Sequence, residues 1–298
     1  MSNSGSFEIN AGTRLCAVLG SPIRHSASPA THNAAFTKLG LNWRYLAFEV
    51  DPKNLRAAID GAKAMNFAGL NLTVPHKLLA LKMVDELDTS AKKWGAVNTI
   101  KFVQSRKSRV QNSEMRAIGF NTDADAIATS LREDLKMNLR GAKILLLGAG
   151  GAGRTAALKL ASEKIAELFL VNRTRAKAGE IAHEIKKQFP SVKVFLDFPK
   201  AKVDLILNAT SLGLKPDDRS PLNEKQFSLK QTRAVYEMIY RPAETKLLKA
   251  AKKSGCQTAN GLGMLLHQGA KAFEIWTGRR APLDVMRRQL VQSLKSNA

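Results

Sequence analysis

The chain has 298 residues, room for about two domains at ~150 residues each, and 44% of them are hydrophobic, enough for substantial cores. No apolar run approaches the ~18–20 residues of a membrane span, and residues 1–12 are polar, without the apolar centre of a secretory signal. The formal charge of +22 leaves three readings: a nucleic-acid partner, an anionic substrate, or a basic surface.

Cys16 and Cys256 have no metal-ligand spacing, and the five histidines form no H-x-x-x-H cluster, so no metal site is expected. A reduced, cytoplasmic protein is the default, with a single Cys16–Cys256 disulfide left open.

Residues 14–20 (RLCAVLG) read as a strand ending in glycine. Ser21-Pro22 makes a turn, and Ser28-Pro29 reads as an N-cap with proline at the first helical position of a helix to about Leu39. A strand over 42–50, a helix from Asp51-Pro52 to about Met65 and a strand over 67–72 follow. Alternating strands and helices predict a mainly parallel sheet with right-handed crossovers. Basic residues concentrate over 101–116, which reads as a solvated hairpin or loop; an RNA-binding patch is the alternative.

Residues 143–147 are a short apolar run, the pattern of a strand buried on both faces. Gly148, Gly150 and Gly153 follow as G-x-G-x-x-G, and residues 155–164 read as a helix. A strand, this loop and a helix make a dinucleotide-binding turn, with backbone N–H groups and the helix N-terminus facing a diphosphate. The ligand-free alternative is a plain glycine-rich turn. The next strand, 167–172, ends in Asn172-Arg173-Thr174-Arg175 with no carboxylate for a ribose 2′-OH and two guanidinium groups suited to a 2′-phosphate. NADP is therefore favoured over NAD, unless these are simply surface arginines. Strands at 203–208 and 234–239, a helix at 262–276 with Leu262, Leu265, Leu266, Phe273 and Trp276 on one stripe, and a last amphipathic helix at 284–295 complete the chain.

Four polar groups stand at strand ends or helix starts. Ser26 and Ser28 are two apart, so in an extended segment both hydroxyls face one way and suit a carboxylate; a capping role for Ser28 competes. Asn71 and Thr73 share a face, and Pro75 opens a predicted helix with Lys77 in its first turn. There the positive end of the helix dipole lowers the lysine's pKa, which suits a proton donor and acceptor. Gly95-Ala-Val-Asn98-Thr99 and Gly119-Phe-Asn-Thr-Asp123 are the others, each also readable as a turn. Asp123 suits a lysine or a substrate hydroxyl.

In order, VLGSPIRHSASP, NLTVPHK, GAVNT, GFNTD, GAGGAGR, NRT, NATSLG, YRPAETKLL and GLGMLLHQGAKAFEIWTG resemble the shikimate dehydrogenase family over about residues 18–282. The resemblance implies an α/β protein. A parallel-sheet substrate domain (1–122 with 262–298) is joined to a Rossmann-like NADP domain (123–261), with a cleft between them and the C-terminal helices returning to the first domain. It implies reversible NADPH-dependent reduction of 3-dehydroshikimate to shikimate, a small-molecule reaction of a monomer or homodimer without nucleic-acid or membrane partners. Ser26 and Ser28 would bind the substrate carboxylate, and Thr73, Asn98, Asp123 and Gln268 its hydroxyls. Lys77 and Asp123 would be the catalytic pair, and Tyr240 would line the substrate side. Gly148, Ala149, Gly150, Gly151, Ala152, Gly153, Asn172, Arg173, Thr174, Arg175, Thr210, Ser211, Leu212 and Gly261 would line the cofactor.

The chain departs from the family pattern at Glu237 and Asn260, each where the family commonly has Asp, and in its longer 101–116 connection. The alternatives are a quinate/shikimate dehydrogenase using NAD(P) and a nucleotide- or RNA-binding relative without catalysis. The latter has no need of both Lys77 and Asp123.

Overall fold

The computed structural model describes residues 8–24, 26–104, 115–215 and 217–295, and divides into two compact units, 1–122 with 268–298, and 123–267. The centre of the basic stretch, 105–114, lies outside the described residues.

The first unit contains β1 (Arg14–Gly20), α1 (Ser28–Lys38), β2 (Trp43–Glu49), α2 (Leu55–Ala64), β3 (Gly69–Leu72), β4 (Glu86–Leu87), α3 (Thr89–Trp94), β5 (Thr99–Gln104) and β6 (Met115–Phe120). Its sheet runs in the order β2-β1-β3-β5-β6-β4. All strands are parallel except β5, which runs antiparallel to both β3 and β6. The expected parallel sheet thus carries one reversed strand, because β5 and β6 pair as a hairpin out to Gln104 and Met115. The last five residues of β1 are buried, as an inner strand covered on both faces requires.

The second unit contains α4 (Asp123–Asp134), β7 (Lys143–Leu147), α5 (Gly151–Ser162), β8 (Glu167–Val171), α6 (Arg175–Gln188), β9 (Lys193–Phe195), β10 (Val203–Asn208), β11 (Thr232–Glu237), α7 (Lys246–Lys253) and β12 (Gln257–Ala259). Its six strands are all parallel, in the order β12-β11-β10-β7-β8-β9. The fully buried Ile144, Leu145 and Leu146 put β7 at the centre, as its apolar run predicts.

Two helices close the chain, α8 (Leu262–Thr277) and α9 (Leu283–Lys295). From Gln268 onward they belong to the first unit, and α9 packs on α1. The anchor is aromatic. The buried His32 ring stacks on Tyr45 at 4.3 Å, Phe273 and Trp276 of α8 close around it, and the Trp276 indole N–H donates to the Ile100 carbonyl at 2.9 Å. Burial pushes the pKa of His32 down to about 3, so this ring is a neutral core group.

Candidate active site

In the first unit the segment after β3 is docked on the end of β1. The Thr73 amide donates to the Leu19 carbonyl (3.0 Å), the Ser21 amide to Val74 (3.1 Å), and the Val97 amide to the Lys77 carbonyl (2.9 Å). Lys77 is half-buried on this backbone platform. It does not sit in a helix. Residues 74–78 form consecutive turns, beginning with the His76 amide on the Thr73 carbonyl (2.8 Å), and only a short 3-10 helix, Leu79–Lys82, follows. The dipole argument for Lys77 therefore lapses, since it has no aligned α-helical turns beneath it.

Ser26 and Ser28 are both half-buried, but the segment is not extended. Ala27 between them is helical (φ −84°, ψ −6°) and occupies the N-cap position, with no side chain capping α1. Ser28 is thus the first helical residue instead of the cap. The Ser26 hydroxyl accepts from the Ser28 amide (3.3 Å), while the Ser28 hydroxyl lies against the Tyr45 phenol.

From Tyr45 a buried polar chain crosses the sheet. The Tyr45 hydroxyl donates to Asn71 Oδ1 (2.7 Å), and Asn71 Nδ2 donates to Thr99 Oγ1 (3.0 Å) and to the Asn98 carbonyl (3.2 Å). Asn98 Nδ2 donates to Thr122 Oγ1 (2.9 Å), and Asn98 Oδ1 accepts from the Thr122 amide (2.8 Å). One network therefore joins Ser28 and Asn98, which the sequence proposed separately. Tyr45 escaped sequence reading, because nothing in its spacing announces its partners, and Thr122 stood in the Gly119–Asp123 group without a role of its own. Thr73 is half-buried, as is Gln268 on α8.

In the second unit Asp123 is buried at the first position of α4, where a carboxylate is favoured by the helix dipole. Tyr240 lies half-buried just beyond β11, and burial raises its pKa.

The glycine loop has the form a diphosphate needs. Gly148 has φ +105°, open to glycine with little strain. A Cβ on Gly153 would stand 2.1 Å from the Gly148 carbonyl, so close packing of α5 on the loop requires glycine there. A Cβ on Gly150 or Gly151 would meet nothing within 4 Å, so the backbone there is open to approach at the N-terminus of α5. The residues fit a dinucleotide diphosphate. Ala152 is exposed on the first turn of α5.

Two side chains shape this loop. Asn172 Oδ1 accepts from the Ala149 amide (3.0 Å), and its Nδ2 donates to the Thr174 carbonyl (2.8 Å), tying the glycine loop to the exit of β8. Asn208, fully buried at the end of β10, accepts at Oδ1 from the Thr210 amide (2.9 Å) and hydroxyl (2.8 Å). Its Nδ2 donates to the Leu212 carbonyl (3.2 Å) and to Glu237 Oε1 (2.7 Å). Thr210 lies against Gly148, Ser211 is exposed, and Gly261 abuts the Met238 carbonyl and donates to Ile239 (3.1 Å). Two of the departures from the family pattern, Glu237 and Asn260, are also built in. Glu237 holds Asn208, and Asn260 accepts from the Leu262 amide (3.1 Å) and donates to the Ala243 carbonyl (2.9 Å).

The two arginines after β8 differ. Arg173 is exposed and makes no ion pair among the described residues. Arg175 is paired with Asp197 through both terminal nitrogens, at 2.7 and 3.2 Å. Arg175 and Asp197 border a hollow of about 420 Å³ that Val171, Asn172, Phe198 and Gln226 also line. The end of β8 carries no carboxylate of its own, as its sequence reads; Asp197 reaches Arg175 from the segment after β9, which local sequence cannot reveal.

Cys16 and Cys256 are free thiols, so the open disulfide does not form. Among the described residues no cluster of three or more His, Cys, Asp or Glu could hold a metal, and no helix is long and apolar enough to cross a membrane.

A six-stranded parallel sheet with this loop in one unit, and a polar chain and a platformed lysine in the other, define the class of two-domain dinucleotide-dependent oxidoreductases. Family models for the shikimate dehydrogenase substrate binding domain, shikimate / quinate 5-dehydrogenase and the shikimate 5′-dehydrogenase C-terminal domain match residues 18–100, 130–215 and 261–291. The shikimate dehydrogenase (NADP(+)) of Methanopyrus kandleri is 39% identical over 98% of this chain and its own full length. A crystal structure of shikimate dehydrogenase in complex with NADP+ superposes with a TM-score of 0.84 at 39% identity, covering 96% of this chain and 98% of that one. The 5-ketofructose reductase of Gluconobacter sp. strain CHM43 superposes at 0.79 with 33% identity, covering 95% and 99%. This chain belongs to the shikimate dehydrogenase family.

Proposed function

We propose that this chain catalyses the reversible, NADPH-dependent reduction of 3-dehydroshikimate to shikimate. The observation that carries the reading is full-length kinship with an NADP(+)-dependent shikimate dehydrogenase in a chain that keeps both Lys77 and Asp123. A 5-ketofructose reductase on the same fold makes the chain's own polar residues, not the fold, the argument for substrate.

Residues 1–122 with 262–298 form the substrate domain in this reading, and 123–261 the NADP domain. Ser26 and Ser28 hold the ring carboxylate by hydroxyl hydrogen bonds, with Ser28 oriented by Tyr45. Thr73, Asn98, Asp123 and Gln268 take the ring hydroxyls, and Tyr240 lines the substrate side. NADPH supplies the hydride when bound. Lys77 gives a proton to the substrate carbonyl oxygen and takes it back in the reverse direction, with Asp123 as its partner. Gly148 to Gly153 receive the diphosphate, Arg173 meets the 2′-phosphate, and Thr210, Ser211, Leu212 and Gly261 form the remaining cofactor wall. The protein acts on a small molecule, as a monomer or homodimer in the cytoplasm.

Initial rates with shikimate and quinate, each with NADP and NAD, test the reading. It requires shikimate with NADP to be the most efficient pair. Comparable rates with quinate and NAD establish the quinate/shikimate alternative, and no oxidation of either acid under any cofactor ends both.

A further inference from the structure

We infer that Asp197 is a cofactor-selectivity residue that limits this enzyme's preference for NADP by engaging Arg175 and presenting a carboxylate to the adenosine ribose. This rests on the NADP reading of the second unit.

The Ala149 amide of the glycine loop bonds Asn172 at the exit of β8, so the hollow lined by Asn172, Arg175 and Asp197 adjoins the diphosphate turn. In such folds the end of this strand faces the adenosine ribose, and an acidic residue there accepts from the 2′-OH of NAD. Here Asn172 follows β8 and bonds to backbone on both sides. The carboxylate instead enters from beyond the next strand along, because β9 pairs with β8 and Asp197 follows two residues after β9 ends.

Charge comes next. Asp197 takes Arg175 with both oxygens, and the same guanidinium also reaches the Leu196 carbonyl (3.4 Å). A 2′-phosphate then finds Arg173 without an ion pair among the described residues, and Arg175 with its charge offset. Asp197 itself repels a phosphate and accepts from a hydroxyl, so it acts in opposite senses on NADP and NAD. The pair is exposed, at 65% and 74% for the two side chains, so water weakens it and the effect is modest.

Calorimetric titration of the full-length protein with adenosine 2′,5′-bisphosphate and with AMP isolates the 2′-phosphate without turnover. In Asp197→Asn the ratio of their dissociation constants should shift about two- to fivefold further toward the bisphosphate. The gain should shrink at high salt, as screening of an exposed charge requires. Steady-state kcat/KM for NADP over NAD should move the same way. Asp197 and Arg175 are surface residues, and thermal unfolding of the variant should match the parent.

An unchanged ratio would remove Asp197 from selectivity. A ratio that narrows would mean Asp197 holds Arg175 toward the phosphate, the opposite of this proposal. If the unmodified protein binds the two fragments equally, the NADP reading itself fails; if it separates them and Asp197→Asn does not move the ratio, only the role of Asp197 fails.

Discussion

Asn208 Nδ2 donates to Glu237 Oε1 at 2.7 Å, and both residues are fully buried. The other carboxylate oxygen accepts from the Thr245 hydroxyl at 3.2 Å, and the Ile239 amide adds a further bond. One acid thus ties the strand β10 that leads to Thr210, the turn after β11 and the cap of α7. Burial, opposed by these neutral donors, raises the Glu237 pKa from 4.5 to about 7. A carboxyl that binds its proton more tightly in the folded state stabilises the fold while protonated. That contribution is full below the unfolded pKa and is lost as pH rises through about 7. Between pH 4.5 and 7 the parent should therefore lose stability relative to Glu237→Gln, by roughly 2–3 kcal/mol across the window. Denaturant unfolding of both proteins at half-unit steps measures the difference. A gap that does not change with pH contradicts the assignment.

Lys77→Ala should lower kcat by about 10²–10⁴ while NADP binding changes little, since the residue handles a proton and sits in the first unit. Its positioning comes from backbone bonds at Leu19, Val74 and Val97, so the variant should fold normally. Near-normal kcat would remove Lys77 from the chemistry.

Ser26→Ala should raise KM for shikimate roughly tenfold or more with cofactor KM nearly constant, because a hydroxyl bond to a charged group is worth ~1.5–3 kcal/mol. A loss confined to thermal stability would make Ser26 a purely structural partner of the Ser28 amide.

Tyr45→Phe tests the buried chain. It removes the donor to Asn71 Oδ1 at a site closed to water, leaving an unsatisfied acceptor at a cost of ~1–3 kcal/mol. Chemical denaturation should show that loss. KM for shikimate should rise together with it, since Ser28 loses its phenol partner. A stable variant with an unchanged KM would show the chain to be unnecessary for substrate.

What was legible in the sequence is what local pattern controls. The apolar run before G-x-G-x-x-G placed β7 and the loop, and the order of motifs placed Ser28, Asn98 and Gln268 in one unit although Gln268 is far off in the chain. Pro75 misled, because a proline opens a run of turns as readily as an α-helix, and the deciding bonds go back to Thr73 and across to β1. Ser28 misled because Ala27 adopts the helical backbone first. Asp197 was illegible for a different reason: only the pairing of β8 with β9 brings it to Arg175, and sequence distance conceals strand order.

Arg173 is the guanidinium placed to set the cofactor preference. It follows Asn172 where β8 ends, is exposed, and makes no ion pair among the described residues, whereas Arg175 is held by Asp197. A guanidinium meets phosphate oxygens with two parallel hydrogen bonds. Such a charged contact is worth at most ~1.5–3 kcal/mol, or about 10- to 150-fold in kcat/KM for NADP over NAD, and exposure to water pulls it toward the lower end. The carboxylate of Asp197 nearby acts against a phosphate, so the unmodified enzyme should fall at the lower end, about tenfold. Arg173→Ala should then remove most of the preference by weakening NADP, with NAD turnover almost unchanged. Arg175→Ala should change it far less, because its charge is already offset. Parallel kcat/KM measurements with both cofactors at one ionic strength decide the matter. If Arg175→Ala is the more damaging of the two, the phosphate lies on the other arginine.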